Sequence, residues 1–309
     1  MNKLNFSADF EIECLGEQEE WVYDIEVEDC HNFFGNDILI HNSIFYTLDF
    51  VADKLKEKNP EKIVDYIDAF TEKYIDPEIM RIYEDLAKYT NANENKMRMT
   101  REKIIEKFLI TGKKHYAYML WDNEGVRYHE PKMKVTGIEI VRSSTPNIVK
   151  PFLKEAIKKL MYDAHEVQEY CQEVKVKFMK LEPEDIAFPR GVSNVEKYID
   201  KAKMFKKGTP IAVRAAIIYN NYIQKHGLDY YPISDGEKIK FIYTVVPNNF
   251  FHSNVFGFIK KIPNREEVIK YINYPLQYEK TFFTVIRTLA ERAGINIDIK
   301  QQSNLDDLF

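Results

Sequence analysis

Cysteine is scarce and poorly placed for cross-linking: Cys14, Cys30 and Cys171 are odd in number and form no C-x-x-C pair. That argues against a disulfide framework and a structural zinc site, and makes a reducing cytoplasm the expected compartment. No apolar run reaches the roughly 18 residues that cross a bilayer, and residues 1–11 hold no stretch of signal length. Neither membrane spanning nor secretion is expected. An excess of positive charge is also missing, since the formal net charge is -5. The 44 Lys and Arg residues can still gather on one face that the total conceals. What is present is 45 % hydrophobic and 30 % charged residues over 309 positions, a folded composition with room for two or three cores.

Residues 5–41 read as short strands, with Trp21, Tyr23, Ile25 and Val27 at period two and Ile38 to Ile40 after a Gly35-Asn36-Asp37 turn. Such a small all-β piece is too short to bury a core alone and needs another chain or domain to complete it. From Pro60 the period becomes helical: Ile63, Ile67 and Phe70 share a face, and beyond Asp76-Pro77 so do Ile79, Ile82, Tyr83 and Leu86. Strands are expected near 95–101, 114–122 and 132–141, giving an α+β domain to about residue 141. Ser144-Thr145-Pro146 supplies a cap and a first-turn proline for a helix carrying Phe152, Leu153, Ala156, Ile157 and Leu160. This begins a mainly helical domain, continued by Val167, Cys171, Val174 and Phe178, with a strand pair near 239–246 and 255–261. Two helices close it, the first with Asn264 and Glu267 as a capping box, the second from about Pro275 to Ala293 before Gly294.

The order His41-Asn42-Ser43 places a hydroxyl nucleophile after an asparagine whose amide can attack its own backbone carbonyl. Succinimide formation there breaks the chain, and nearby imidazoles can protonate or polarise the scissile peptide. Residues Val22 to Phe34 and Ile38 to Ser43 resemble the two terminal blocks of inteins inserted in DNA polymerases. The resemblance implies that Asn42 cyclises, that His41 and His31 assist, that Asp24 couples the steps and that Ser43 accepts the N-terminal flank. The family's initiating Cys or Ser and its Thr-x-x-His block have no match. With Met1 so close upstream, they are expected on a separate chain, which makes residues 1–42 the C-terminal part of a split intein, a piece of the HINT fold that splices without a cofactor.

Ser43 to Thr47 resembles the strand after the Asp-Thr-Asp turn of family B DNA polymerases, so the aspartates that bind two divalent metals (Mg) are expected on the other fragment. Thr111-Gly112-Lys113-Lys114-His115-Tyr116-Ala117 reads as strand-like, with cations and an aromatic suited to a duplex backbone. It resembles the Lys-Lys-Arg-Tyr motif of phage-type members, with His115 in place of arginine, which removes a permanent charge and a guanidinium fork. Trp121-Asp122 and Glu130 to Glu139 follow in the family's order. The resemblance implies DNA contacts at Lys113, Lys114, His115, Tyr116, Lys134 and Arg142, and places Glu102 near the metal site. The helices after Ser143, the stretch Ile211 to Asn220 and Tyr278 to Phe282 resemble the thumb of T4-like phage enzymes. There Lys201, Lys203, Lys206, Lys207 and Arg214 form a candidate basic face for departing duplex.

Gln302, Leu305, Leu308 and Phe309 can form one helical turn that inserts apolar side chains into a pocket, and resemble the sliding-clamp-binding tail of replicative polymerases. The expected organisation is thus multidomain: intein segment 1–42, palm portion 43–141, thumb 142–294 and tail 295–309. The expected partners are an N-terminal polymerase fragment bearing the N-intein, primer-template DNA, dNTP and a sliding clamp, inside an infected bacterial cell. The alternative is a noncatalytic DNA-binding or scaffold subunit with an inactive intein remnant.

Overall fold

A computed structural model describes residues 59–112, 114–200 and 204–297, together with the backbone of four short strands between residues 5 and 40. The chain divides into two units, Met1–Thr47 with Gly112–Lys114, and Leu48–Thr111 with His115–Phe309. In the first, β1 (Asn5–Phe6) pairs antiparallel with β2 (Phe10–Glu11), and β3 (Phe33–Gly35) with β4 (Ile38–Ile40). Gly35 pairs with Ile38, and Asn36 and Asp37 of the expected turn lie outside the described residues. Trp21 to Val27 lie outside the described residues.

The second unit opens with α1 (Pro60–Phe70). Asn59 caps it, its Oδ1 accepting from the Glu61 N–H at 3.0 Å, and Pro60 occupies the first turn, where its missing N–H costs nothing. A π turn at Thr71–Ile75 joins α1 to α2 (Asp76–Tyr89). Pro77 cannot donate a backbone bond, and its ring would crowd the preceding turn of a regular helix. The wider π turn, closed by the Asp76 N–H onto Thr71 O, carries the chain past it without a break. The inward residues differ from the expected stripe. Val64 rather than Ile63 is buried on α1, and Ile82 is 44 % exposed while Tyr83 and Ala87 point inward on α2.

Three long strands follow in spatial order: β5 (Lys103–Gly112), β6 (His115–Asn123) and β7 (Val126–Thr136). This corrects the expectation of a strand at 95–101, which is irregular; the strand begins at Lys103. It also corrects the strand-like reading of Thr111 to Ala117. The chain turns there, Lys114 having φ of 58°, so that Gly112 ends one strand and His115 opens the next. The strand expected over 132–141 stops at Thr136, because Gly137 (φ 69°) leads into a 3-10 turn at Glu139–Val141.

Beyond the sheet lie α3 (Lys150–Tyr162) and α4 (Ala164–Phe178). The cap expected at Ser144-Thr145-Pro146 is not there: Thr145 Oγ1 donates to Glu139 O at 2.6 Å, and the helix starts four residues later with Pro151 in its first turn. Short helices α5 (Pro183–Ile186) and α6 (Val195–Tyr198) precede α7 (Ile211–His226), which Gly227 ends in the left-handed region at φ 60°. A second antiparallel sheet contains β8 (Phe188–Gly191), β9 (Lys238–Tyr243) and β10 (Val255–Phe258), in the order β10-β9-β8. Two of its strands were expected; β8 escaped notice because Pro189 sits in it, a residue compatible with an edge strand.

After β10 come α8 (Arg265–Val268), α9 (Tyr274–Tyr278), a π turn at Glu279–Phe283 and α10 (Thr284–Arg292). The long closing helix is therefore present, widened at its middle. The capping box is not. Asn264 and Glu267 meet instead through Tyr222, whose hydroxyl donates to Glu267 Oε2 at 2.7 Å and lies 3.3 Å from Asn264 Nδ2. One large core holds Leu109 and Ala117 from the first sheet and Ile138 just beyond it, together with Leu153, Phe178, Tyr222 and Phe282. Buried Gln277 pins the second sheet to the closing helix, donating to Ile186 O at 2.7 Å and accepting from the Tyr243 N–H at 3.1 Å.

Candidate nucleic-acid interface

On the side of the first sheet away from the large core, cross-strand pairing sets Tyr116 opposite Thr136, Tyr118 opposite Lys134 and Leu120 opposite Lys132. Paired residues share a face. Phe108 of β5 joins them, with ring centroids 5.7 Å from Tyr116 and 5.8 Å from Tyr118, while the two tyrosines lie 6.0 Å apart. Lys132 Nζ sits 3.9 Å from the centre of the Tyr128 ring. The reverse side bears Ala117, Met119, Met133 and Val135, which turn towards the helices. Period-two alternation thus yields one core face and one face of aromatic rings edged by ammonium groups. Burial pushes the Tyr118 phenol up against the opposing pull of Lys103, so its hydroxyl stays a neutral donor.

The expected contact residues fall in two groups. Tyr116 and Lys134 belong to this face, and Lys114 and His115 stand where β6 begins. Arg142, just past the sheet, is tied to Glu139 at 3.2 Å. The second group lies around the start of α7: Lys206 Nζ donates to Lys197 O at 2.6 Å, Lys207 is exposed, and Arg214 stacks 5.4 Å from the Phe205 ring. Burial of Arg214 Nε with no hydrogen-bond acceptor leaves the stacking as that side chain's clearest attachment. Lys113, Lys201 and Lys203 lie outside the described residues, as do Asp24, His31, His41, Asn42, Ser43, Gln302, Leu305, Leu308 and Phe309.

Glu102 immediately precedes β5, its exposed carboxylate 2.8 Å from Lys103 Nζ. No group of three or more His, Cys, Asp or Glu residues suited to a metal ion occurs among the described residues.

One feature escaped the sequence reading: a charge network at the far end of the sheet. Asp122, 1 % exposed, accepts from Arg101 Nη1 at 2.6 Å, from Arg127 Nε at 3.1 Å and from the Gly125 N–H at 3.0 Å. The two arginines then reach Asp68 and Asp65 on α1, Arg101 at 2.7 Å and Arg127 at 3.2 and 2.5 Å. Burial pushes the Asp122 carboxyl up, but hydrogen bonds from Arg101, Arg127 and Gly125 outweigh it and hold the group below the usual carboxylate range. The signal available was an Asp before a Glu-Gly turn, with one arginine just ahead of β5 and another on β7.

A face of aromatic rings and lysines, backed by a helical core, suits a nucleic-acid backbone, and the comparisons agree in class. The chain belongs to DNA polymerase family B, whose model matches residues 69–280. It is similar to the DNA-directed DNA polymerases of Escherichia phage RB69, 30 % identical over 284 residues, and Enterobacteria phage T4, 28 % identical over 284 residues. Each match covers 87 % of this chain and 31 % of the relative, so the chain spans less than a third of their length. A DNA polymerase of Thermococcus sp. (strain GE8) is 27 % identical over 189 residues, 58 % of this chain and 9 % of that protein.

Proposed function

We propose that this chain is the C-terminal part of a DNA-directed DNA polymerase, completed by protein trans-splicing and placing primer-template DNA on the β5–β7 face. The observation that carries the polymerase reading is the family B match over residues 69–280, which contains the aromatic and lysine face. The reading divides the chain into an intein segment 1–42, the end of the palm at 43–141, the thumb at 142–294 and a clamp-binding tail at 295–309. Lys113, Lys114, His115, Tyr116 and Lys134 hold the primer-template near the growing end, and Lys206, Lys207 and Arg214 the departing duplex. Phosphate contacts of this kind position DNA without reading its sequence. Glu102 is the one carboxylate assigned near the two divalent metals; the remaining ligands belong to the other fragment, as do the groups that bind dNTP.

The splicing part rests on the intein-like blocks around Asp24, His31, His41, Asn42 and Ser43. The Ser43 hydroxyl attacks the ester or thioester that links the N-terminal flank to the initiating Ser or Cys of the N-intein, taking the acyl group as a new ester and releasing that side chain. The Asn42 side-chain nitrogen then attacks its own carbonyl, the peptide bond to Ser43 breaks, and the freed Ser43 amine takes the acyl group from its own oxygen to form the new peptide bond. The product is a polymerase working in the cytoplasm of an infected cell, held near DNA by a sliding clamp.

Mixing the chain with the N-terminal fragment and recording intact masses tests this. The expected product has lost residues 1–42 and gained the N-terminal flank through Ser43, while Asn42→Ala does not release the intein. Unchanged masses in a noncovalent complex would leave a DNA-binding subunit with an inactive intein remnant.

A further inference from the structure

At the edge of β7 a groove of about 540 Å³ opens towards α3, lined by Lys132 and Lys134 on one side and Lys154 and Lys158 on the other, with Met119 and Met133 also in its wall. All four lysines are exposed, and Glu155 is the one carboxylate on the lining. Among the described residues Lys134, Lys154 and Lys158 make no ion pair, whereas nearby helical lysines do: Lys159 meets Glu166 at 2.5 Å and Lys177 meets Glu173 at 3.5 Å. The chain has carboxylates to spare and spends almost none here. Like charges gathered without partners repel one another, a cost that a bound polyanion removes.

Spacing distinguishes the kind of anion. Lys154 and Lys158 are one helical turn apart, about 6 Å along the axis. Lys132 and Lys134 are two residues apart on a strand, about 6.6 Å. Each row therefore repeats a cation near twice the roughly 3.4 Å at which one strand of duplex DNA carries charge along its axis. A lone phosphate would leave most of the ammonium groups unmatched. Apart from Glu155, the remaining lining, Pro131 and Pro151 with the two methionines, offers no side-chain group to read a base edge.

We propose that this groove takes the sugar-phosphate backbone of one strand of duplex DNA as it leaves the aromatic face over β7, independently of sequence, with α3 supplying the second row of contacts. This rests on the reading of the β5–β7 face as a DNA site and adds Lys154 and Lys158 to it. The test is duplex binding by the full chain, followed by fluorescence anisotropy across a salt series. The Lys154→Ala/Lys158→Ala double variant should lower the slope of log affinity against log salt by about 2. Lys154→Arg/Lys158→Arg should restore it, Glu155→Gln should tighten binding, and Lys177→Ala on α4 should change nothing. Melting temperatures should stay together across the set. If the wild type binds and Tyr116→Ala weakens it while the double variant keeps the full slope, the groove assignment falls and the DNA face stands. Displacement of the duplex by inorganic triphosphate at lower concentration from wild type, but not from the double variant, would assign the groove to a small polyphosphate and overturn the proposal. If the wild type binds no duplex at all, the face and the groove fall together.

Discussion

Helices α1 and α7 each lie against a three-stranded sheet, but they are joined to it by different means. The α1 seam has a small apolar centre of Val64, Ile104 and Trp121, with Ile67 beside it, and the Asp65–Asp68–Arg101–Arg127–Asp122 network around it. The α7 seam is apolar, with Ala212 and Ala215 against Phe241 and Val255, and the backbones approach so closely that a Cβ on Gly257 would lie 2.7 Å from Ala215 O. A charged seam tolerates small changes in volume and fails when one partner is removed, because the remaining charges lose their compensation. A close-packed seam is indifferent to pH and fails when an atom is added.

The comparison can be broken at either seam. Asp122→Ala should be the largest effect, a loss of about 3–5 kcal/mol in urea unfolding, since it removes the buried carboxylate on which two arginines and the Gly125 N–H converge. Gly257→Ala should cost about 1–3 kcal/mol by forcing β10 away from α7. If the order reverses, the ion network is decoration and the apolar centre alone joins α1 to its sheet.

Smaller changes sharpen the contrast. Asn59 caps α1 and Asn273 caps α9, each side chain accepting a backbone N–H at 3.0 Å. Replacing either with alanine should cost about 1 kcal/mol. Hydrogen exchange should then show α1 fraying locally, whereas loss at Asn273 spreads through the helices of the large core. The smallest effect near neutrality is that of pH. Asp122 has a depressed pKa in the folded chain, so its contribution is complete above the unfolded value of about 3.9 and is lost as pH falls through the folded one. Below about pH 4, α1 amides should exchange faster while those of α7 hold, and Asp122→Asn should remove that acid dependence.

Much of this architecture was legible in the sequence because periodicity reports burial. The spacing of Leu153, Ala156, Ile157 and Leu160 gave the inner face of α3, and Val167, Cys171, Val174 and Phe178 gave that of α4. Boundaries were less legible, because they depend on where side chains find partners. Thr145 bonds to Glu139 O instead of capping, and Asn264 and Glu267 answer to Tyr222, more than forty residues away. At the candidate site, the run of basic and aromatic residues at 113–116 points to the start of β6. That Phe108, Tyr118 and Lys132 share its sheet face follows from strand register, which local pattern does not determine. Nothing in the local pattern of α3 singles out Lys154 and Lys158, because their place beside β7 is set by tertiary packing.

The guanidinium of Arg292, at the end of α10, donates to Thr111 O at 2.8 Å, across 181 positions of chain. That bond holds the end of β5 in place, and it has a history as well as a geometry. At ribosomal speeds of about 5–20 residues per second, roughly 10–35 s separate the synthesis of its two ends. The strand leading to the proposed primer-gripping turn is therefore translated early and fastened late, so a ribosome stalled before α10 would leave a nascent chain with its sheet begun and its latch still unmade.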